Sequence, residues 1–199
     1  MAAALRVPVL IEGVRLRLRR STPADAEATY AMATDAEVMR YMEWPMPRAL
    51  AETRGYLEGC AARWQAGTEH HWMIERKSDG QAIGSIACRI QGHAADFGYF
   101  LAREHWGQGL AAEAAQLLLG WLQRQSGILR IGASTDAGNT RSAAVLRKVG
   151  LQQEGLLRKA TVRPQRGPAP RDTMLFAWVA PEDSSDVSPD VRPKNGITS

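Results

Sequence analysis

A chain of 199 residues with 45% hydrophobic side chains is long enough for one domain with a full core, and no apolar stretch in it reaches membrane-spanning length. The formal net charge is +4; residues 181–199 hold four acids against two bases, so the remainder is more basic, about +6. Basic residues spread this widely agree with an anionic ligand but mark neither a nucleic-acid nor a membrane surface.

The apolar opening runs into Arg15, Arg17, Arg19 and Arg20 without a cleavage-site pattern, so a cytoplasmic location is expected. Val14, Leu16 and Leu18 alternate with three of these arginines, the pattern of a strand with one buried face. Thr22 as N-cap, Pro23 at the first helical position and Asp25 in the first turn open a helix to about Ala33. A short helical piece over residues 35–41 precedes the breaker Trp44-Pro45-Met46-Pro47, and a longer helix over residues 49–65 ends at Gly67. Residues 71–75 and 82–90 read as strands joined around Ser78-Asp79-Gly80, and Gln91-Gly92-His93 turns into a third strand that reaches Leu101. Beyond a glycine turn and a helix come a strand over 128–134, a helix over 139–149 and an antiparallel pair over 151–162 and 173–179. The connection 163–171 is rich in proline and arginine, and residues 181–199 have the composition of a disordered tail. The order predicts an α+β domain on a mixed, mostly antiparallel sheet of about seven strands flanked by helices.

Chemistry concentrates where Phe97, Tyr99 and Leu101 alternate into Trp106-Gly107-Gln108-Gly109-Leu110-Ala111-Ala112-Glu113. Leu110, Ala114, Leu117, Leu118, Trp121 and Leu122 form one helical stripe behind the turn. A strand feeding a helix through two glycines presents unpaired amides and the positive end of a helix dipole, which suits a pyrophosphate. No lysine follows the second glycine, so a Walker-type loop is not expected. The same glycines fit a dinucleotide pattern with Asp136 as ribose-binding acid, but antiparallel strands on both sides of the turn oppose a Rossmann domain. Cys60 and Cys88 lack metal-ligand neighbours and the four histidines lack metal-ligand spacing, so no metal is expected.

Glycine turn, helix, strand and then Asn139-Thr140-Arg141-Ser142-Ala143-Ala144-Val145-Leu146-Arg147-Lys148-Val149-Gly150-Leu151 resemble the GNAT N-acetyltransferases. Asp96-Phe97-Gly98-Tyr99 with the run from Trp106 to Ala114 is most similar to the ribosomal-protein N-terminal acetyltransferase branch, RimJ and RimL. The resemblance covers residues 10–180 and implies one GNAT domain whose fourth and fifth strands splay to hold acetyl-CoA. The implied reaction is direct transfer of the acetyl group to a primary amine, on a protein N-terminus or a small amino compound. The alternative is an acyl-CoA-binding regulatory domain of the same fold without transfer activity.

The resemblance also implies roles. Gly107, Gln108, Gly109, Leu110, Ala111 and Ala112 would offer amides to the pyrophosphate, beside Trp106, which replaces the superfamily's usual Gln or Arg. Phe100 and Leu101 would supply free strand backbone to the pantetheine arm and the oxyanion, Arg103 and Arg141 phosphate contacts, and Asn139 both a helix cap and a pantetheine contact. The tyrosine that many GNAT enzymes place near sulfur is here Leu146, and Ser142 matches the serine of the RimJ/RimL branch instead. Asp96 stands where relatives often carry Glu, a candidate base. Trp44 and the loop arginines Arg163, Arg166 and Arg171 are assigned to the acceptor side, where guanidinium forks suit an acidic feature beside the amine. The partners implied are acetyl-CoA and the amine, with no nucleic acid or membrane, for a monomer or homodimer.

Overall fold

The computed structural model describes residues 5–181, so the tail expected over 181–199 lies, beyond its first residue, outside the described residues. The strands are β1 (Leu10–Glu12), β2 (Leu16–Arg20), β3 (His70–Arg76), β4 (Ala82–Gln91), β5 (Ala94–Leu101), β6 (Arg130–Asp136), β7 (Gln152–Val162) and β8 (Pro170–Val179). The helices are α1 (Ala26–Ala33), α2 (Ala36–Met39), α3 (Leu50–Ala66), α4 (Leu110–Gln123) and α5 (Thr140–Lys148). One eight-stranded sheet runs β1-β2-β3-β4-β5-β6-β8-β7. The strand beyond the expected set is β1, which pairs antiparallel with β2 through Leu10 opposite Arg19, while Val14 sits at the hairpin turn and is 90% exposed.

Alternation builds the core. In β5, Ala95, Phe97 and Leu101 are buried while Asp96 and Gly98 face away. The buried row joins Leu16 and Leu18 of β2, Trp72 and Ile74 of β3, and Phe176 of β8 in one cluster. Helix α4 covers that face with Leu110, Ala114, Leu118, Trp121 and Leu122, and α5 adds Ala143 and Leu146. Truncating a fully buried member such as Leu118 to Ala costs about 2–5 kcal/mol by the usual transfer and cavity terms.

Neighbouring strands are antiparallel except β5 and β6, and this exception positions the site. The two pair in parallel only at Ala94, Ala95 and Asp96 opposite Arg130, Ile131 and Gly132. β6 stays bonded to β8 as far as Asp136 opposite Thr173, whereas residues 97–101 of β5 lose their partner on that side. A wedge opens between the two strands, with backbone groups of both facing into it.

The start of α4 is fixed beside the wedge. Glu113 accepts from the Arg15 and Leu16 amides at 2.8 and 3.2 Å and from Arg15 Nε at 2.6 Å. Burial pushes the Glu113 carboxyl up, but these hydrogen bonds outweigh it and hold the group below the usual carboxylate range.

Candidate active site

The glycine turn has the backbone its sequence requires. Gly107 and Gly109 have φ of 75° and 76°, a region that strains any residue with a Cβ. The first helical bond of α4 runs from the Glu113 amide to Gly109 oxygen at 3.1 Å, so the amides of Leu110, Ala111 and Ala112 have no intrahelical acceptor. Trp106 braces the turn against β5 by donating its indole N–H to Leu101 oxygen at 2.9 Å, and Arg141 stacks its guanidinium 5.3 Å over the Trp106 ring.

A groove of about 940 Å³ runs from this turn into the wedge, lined by Phe100, Leu101, Arg103, Trp106, Gly107, Gly109, Ala112, Asn139 and Arg141. Arg40 and Lys148 join Arg103 and Arg141 on its walls, against the single carboxylate of Glu37. Such a cationic groove ending on free helix amides fits a polyphosphate with a long narrow arm. Leu110 turns its side chain into the core, Ala111 packs against it, and Gln108 donates its side chain to Glu104 oxygen at 2.9 Å, so none of these three side chains lines the groove and only their backbone amides are left for a phosphate.

Asn139 caps α5 by accepting the Ser142 amide at 3.1 Å, which aims the Ser142 hydroxyl into the wedge. There Ser142 Oγ meets Tyr99 Oη at 3.2 Å. Burial pushes the Tyr99 phenol up while the Ser142 hydrogen bond pulls it down; the net is upward, so the phenol keeps its proton and can donate it. By pattern alone Tyr99 counts among the apolar residues of its strand. The signal was its place in the row Phe97, Tyr99, Leu101, which points toward the helix carrying Ser142.

A second, smaller crevice of about 110 Å³ continues beyond this pair. Tyr41, Met42, Tyr99, Asn139 and Ser142 line both cavities, so the two meet at the hydroxyl pair. Phe97, Ala133 and Leu146 give the crevice an apolar floor, and Glu43, Trp44 and Arg163 form its outer wall.

The loop arginines are not a free surface set. Asp136, 1% exposed, binds Arg166 Nη1 and Arg171 Nε at 3.2 Å each, with Arg163 Nε at 4.0 Å. Arg163 reaches on to Glu43 at 2.8 Å, and Gln165 donates to Trp44 oxygen at 2.8 Å. Tyr41 closes the ring by donating to Gly138 oxygen at 3.1 Å beneath the Arg166 guanidinium. The reading of these arginines as acceptor-facing is corrected in part: they fold the connection 163–171 down onto a buried carboxylate, and only Arg163 lines the crevice. A buried carboxylate without cationic partners is costly, which is why three guanidinium groups turn inward.

Asp96 also departs from expectation. It lies at the last rung before the wedge, is 53% exposed, and binds Arg89 at 2.9 Å. It lines neither cavity, because strand alternation sends it to the face opposite Tyr99.

A model of the acetyltransferase (GNAT) domain matches residues 15–152. The chain is 32% identical over 177 residues to YoaA, an uncharacterized N-acetyltransferase of Bacillus subtilis, covering 87% of this chain and 98% of that protein. Among solved structures, the fold is similar to RimL, a ribosomal L7/L12 alpha-N-protein acetyltransferase in complex with coenzyme A, at 22% identity and a TM-score of 0.78. That match covers 86% of this chain and 98% of RimL. Mycobacterium smegmatis RimJ in complex with CoA-disulfide is 26% identical with a TM-score of 0.76, over 86% of this chain and 87% of RimJ. The chain belongs to the GNAT acetyltransferase family. It is an N-acetyltransferase with acetyl-CoA as its acyl donor, and the expected RimJ/RimL-like affinity and α+β fold hold.

Proposed function

We propose that the acceptor is the α-amine of a protein or peptide N-terminus, presented from the Trp44 side, and that Ser142 and Tyr99 stabilise the departing thiolate. The observation that carries this reading is the hydroxyl pair at the junction of a cationic groove and a small crevice. The groove suits the donor's phosphates and arm, and its inner end is the only place where donor and acceptor cavities share residues among those described. The crevice holds a small side chain, and its outer wall is open at Trp44, which is 49% exposed, so a chain can continue outward. The name of RimL, an alpha-N-protein acetyltransferase, supports an N-terminal amine over a free metabolite.

Chemically, the amine nitrogen attacks the thioester carbonyl, negative charge builds first on oxygen and then on sulfur, and the C–S bond breaks. Unpaired β5 backbone near Phe100 and Leu101 faces the wedge and supplies a donor to the oxygen. Ser142, oriented by the Asn139 cap, donates to sulfur, and Tyr99 replaces that proton from behind. Because this donation matters as charge develops, its loss falls on turnover more than on donor affinity.

The test is Ser142→Ala, assayed by thiol release with peptides bearing a free or a blocked N-terminus. The expected result is a kcat lower by about tenfold to a thousandfold, with acetyl-CoA affinity close to the parent. Turnover that is unchanged at saturation, with weakened donor binding, would make Ser142 a binding residue only. Acetylation that ignores blocking of the N-terminus would remove the α-amine reading.

A further inference from the structure

With Asp96 tied to Arg89 outside the wedge, the amine meets a different carboxylate. Glu43 is the one carboxylate among the residues lining the crevice, and it shares that lining with Tyr99 and Ser142. Its side chain is 52% exposed while that of Arg163 behind it is 4% exposed, so the carboxylate stands at the mouth with its partner buried. Arg163 Nη1 bonds Oε1 at 2.8 Å, and no hydrogen bond from the described residues reaches Oε2. Arg163 is itself held near Asp136, which fixes the orientation of Glu43 from a buried anchor.

We infer that Glu43 receives the acceptor's ammonium group and removes one of its protons, selecting amines that arrive as cations. The inference rests on the reading of the crevice as the acceptor side. An α-amine, with a pKa of about 7.7–8.0, reaches the site at pH 7 mostly protonated, and only its neutral form attacks. Oε2 accepts one N–H proton and releases it to solvent. The freed lone pair forms the C–N bond, and the C–S bond breaks with its electron pair on sulfur. The second proton lost from nitrogen reaches that sulfur through the Tyr99 and Ser142 hydroxyls, so the products are amide, thiol and one proton.

Two peptides of equal length, one beginning with alanine and one with trifluoroalanine, separate this role from a structural one. Fluorination leaves the amine uncharged at pH 7, and because the larger trifluoromethyl group meets parent and variant alike, each peptide is read as the ratio of variant to parent. Glu43→Gln should lower kcat/KM for the alanine peptide about tenfold to a hundredfold and for the fluorinated peptide less than threefold, with acetyl-CoA affinity by calorimetry unchanged. The amide keeps an acceptor for Arg163, and Glu43→Asp, which keeps the charge, should recover part of the loss. Equal losses with both peptides, or no loss with either, overturn the inference. Ala133→Leu, which fills the crevice, reports on the underlying reading. If it raises KM for both peptides while Glu43→Gln changes neither, only the role of Glu43 falls; if neither variant acts, the acceptor side itself is misplaced.

Discussion

The donor groove and the acceptor mouth meet at one pair of hydroxyls, yet they are made of different material. The donor side is mostly backbone: two glycines at positive φ, the first amides of α4 and an unpaired length of β5, within a short stretch of chain. The acceptor side is side-chain charge drawn from remote segments, with Arg163 reaching Glu43, Gln165 reaching Trp44, and Arg166 and Arg171 sharing Asp136. Backbone geometry tolerates change in most side chains around it. A charge network shifts with single substitutions, so acceptor preference can change while the donor site is kept.

The comparison breaks most sharply at Gly109. Gly109→Asp forces a Cβ into φ of 76° and sets a negative charge where the helix dipole favours anions. These terms sum to about 2–4 kcal/mol, so acetyl-CoA affinity should fall roughly thirtyfold to a thousandfold, measured by calorimetry. Affinity within twofold of the parent would show that the donor site does not depend on this backbone.

Asp136→Asn tests the other side. Removing the charge leaves Arg163, buried and already short of a partner at Nε, beside Arg166 and Arg171. Breaking a buried ion pair costs about 3–5 kcal/mol, here reduced because Arg166 and Arg171 keep some access to water. The expected outcome is a loss of about 2–3 kcal/mol in urea denaturation, a raised acceptor KM and acetyl-CoA affinity within threefold. A donor affinity that falls in step with the acceptor's would mean that the two regions are one unit.

The same division explains what the sequence disclosed. The strand, glycine turn and helix at 97–122 follow local rules of alternation, positive φ and helical spacing, so that unit is legible in the sequence alone. Asn139 was legible as a cap for the same reason, since its partner, the Ser142 amide, lies three residues away. Asp136 was read only as part of a rejected dinucleotide pattern, because its partners at 163, 166 and 171 are brought to it by the β7 and β8 pairing. Glu43 had no periodicity to mark it, standing beside a proline-rich breaker whose path is set by Gln165 and Arg163 more than 100 residues later. Asp96 misled because its position matched relatives while the Arg89 partner, on the neighbouring strand, was invisible in one dimension.

Tyr99→Phe produces the smallest of these effects and bears most directly on the seam between the regions. The change removes one hydroxyl and leaves the ring, which stacks with Phe97 at 6.4 Å, in place. What is lost is the 3.2 Å bond to Ser142 Oγ, whose net worth is about 1 kcal/mol, equivalent to about fivefold. Since that hydroxyl delivers its proton to sulfur by way of Ser142, the loss should appear in kcat, with the KM of acetyl-CoA and of the acceptor both within twofold. In a Ser142→Ala background the same substitution should change nothing further, because the group it supports is already gone. Additive losses in the double variant would show that Tyr99 reaches sulfur without Ser142. A rise in either KM alone would assign it to the groove or to the crevice instead of the junction.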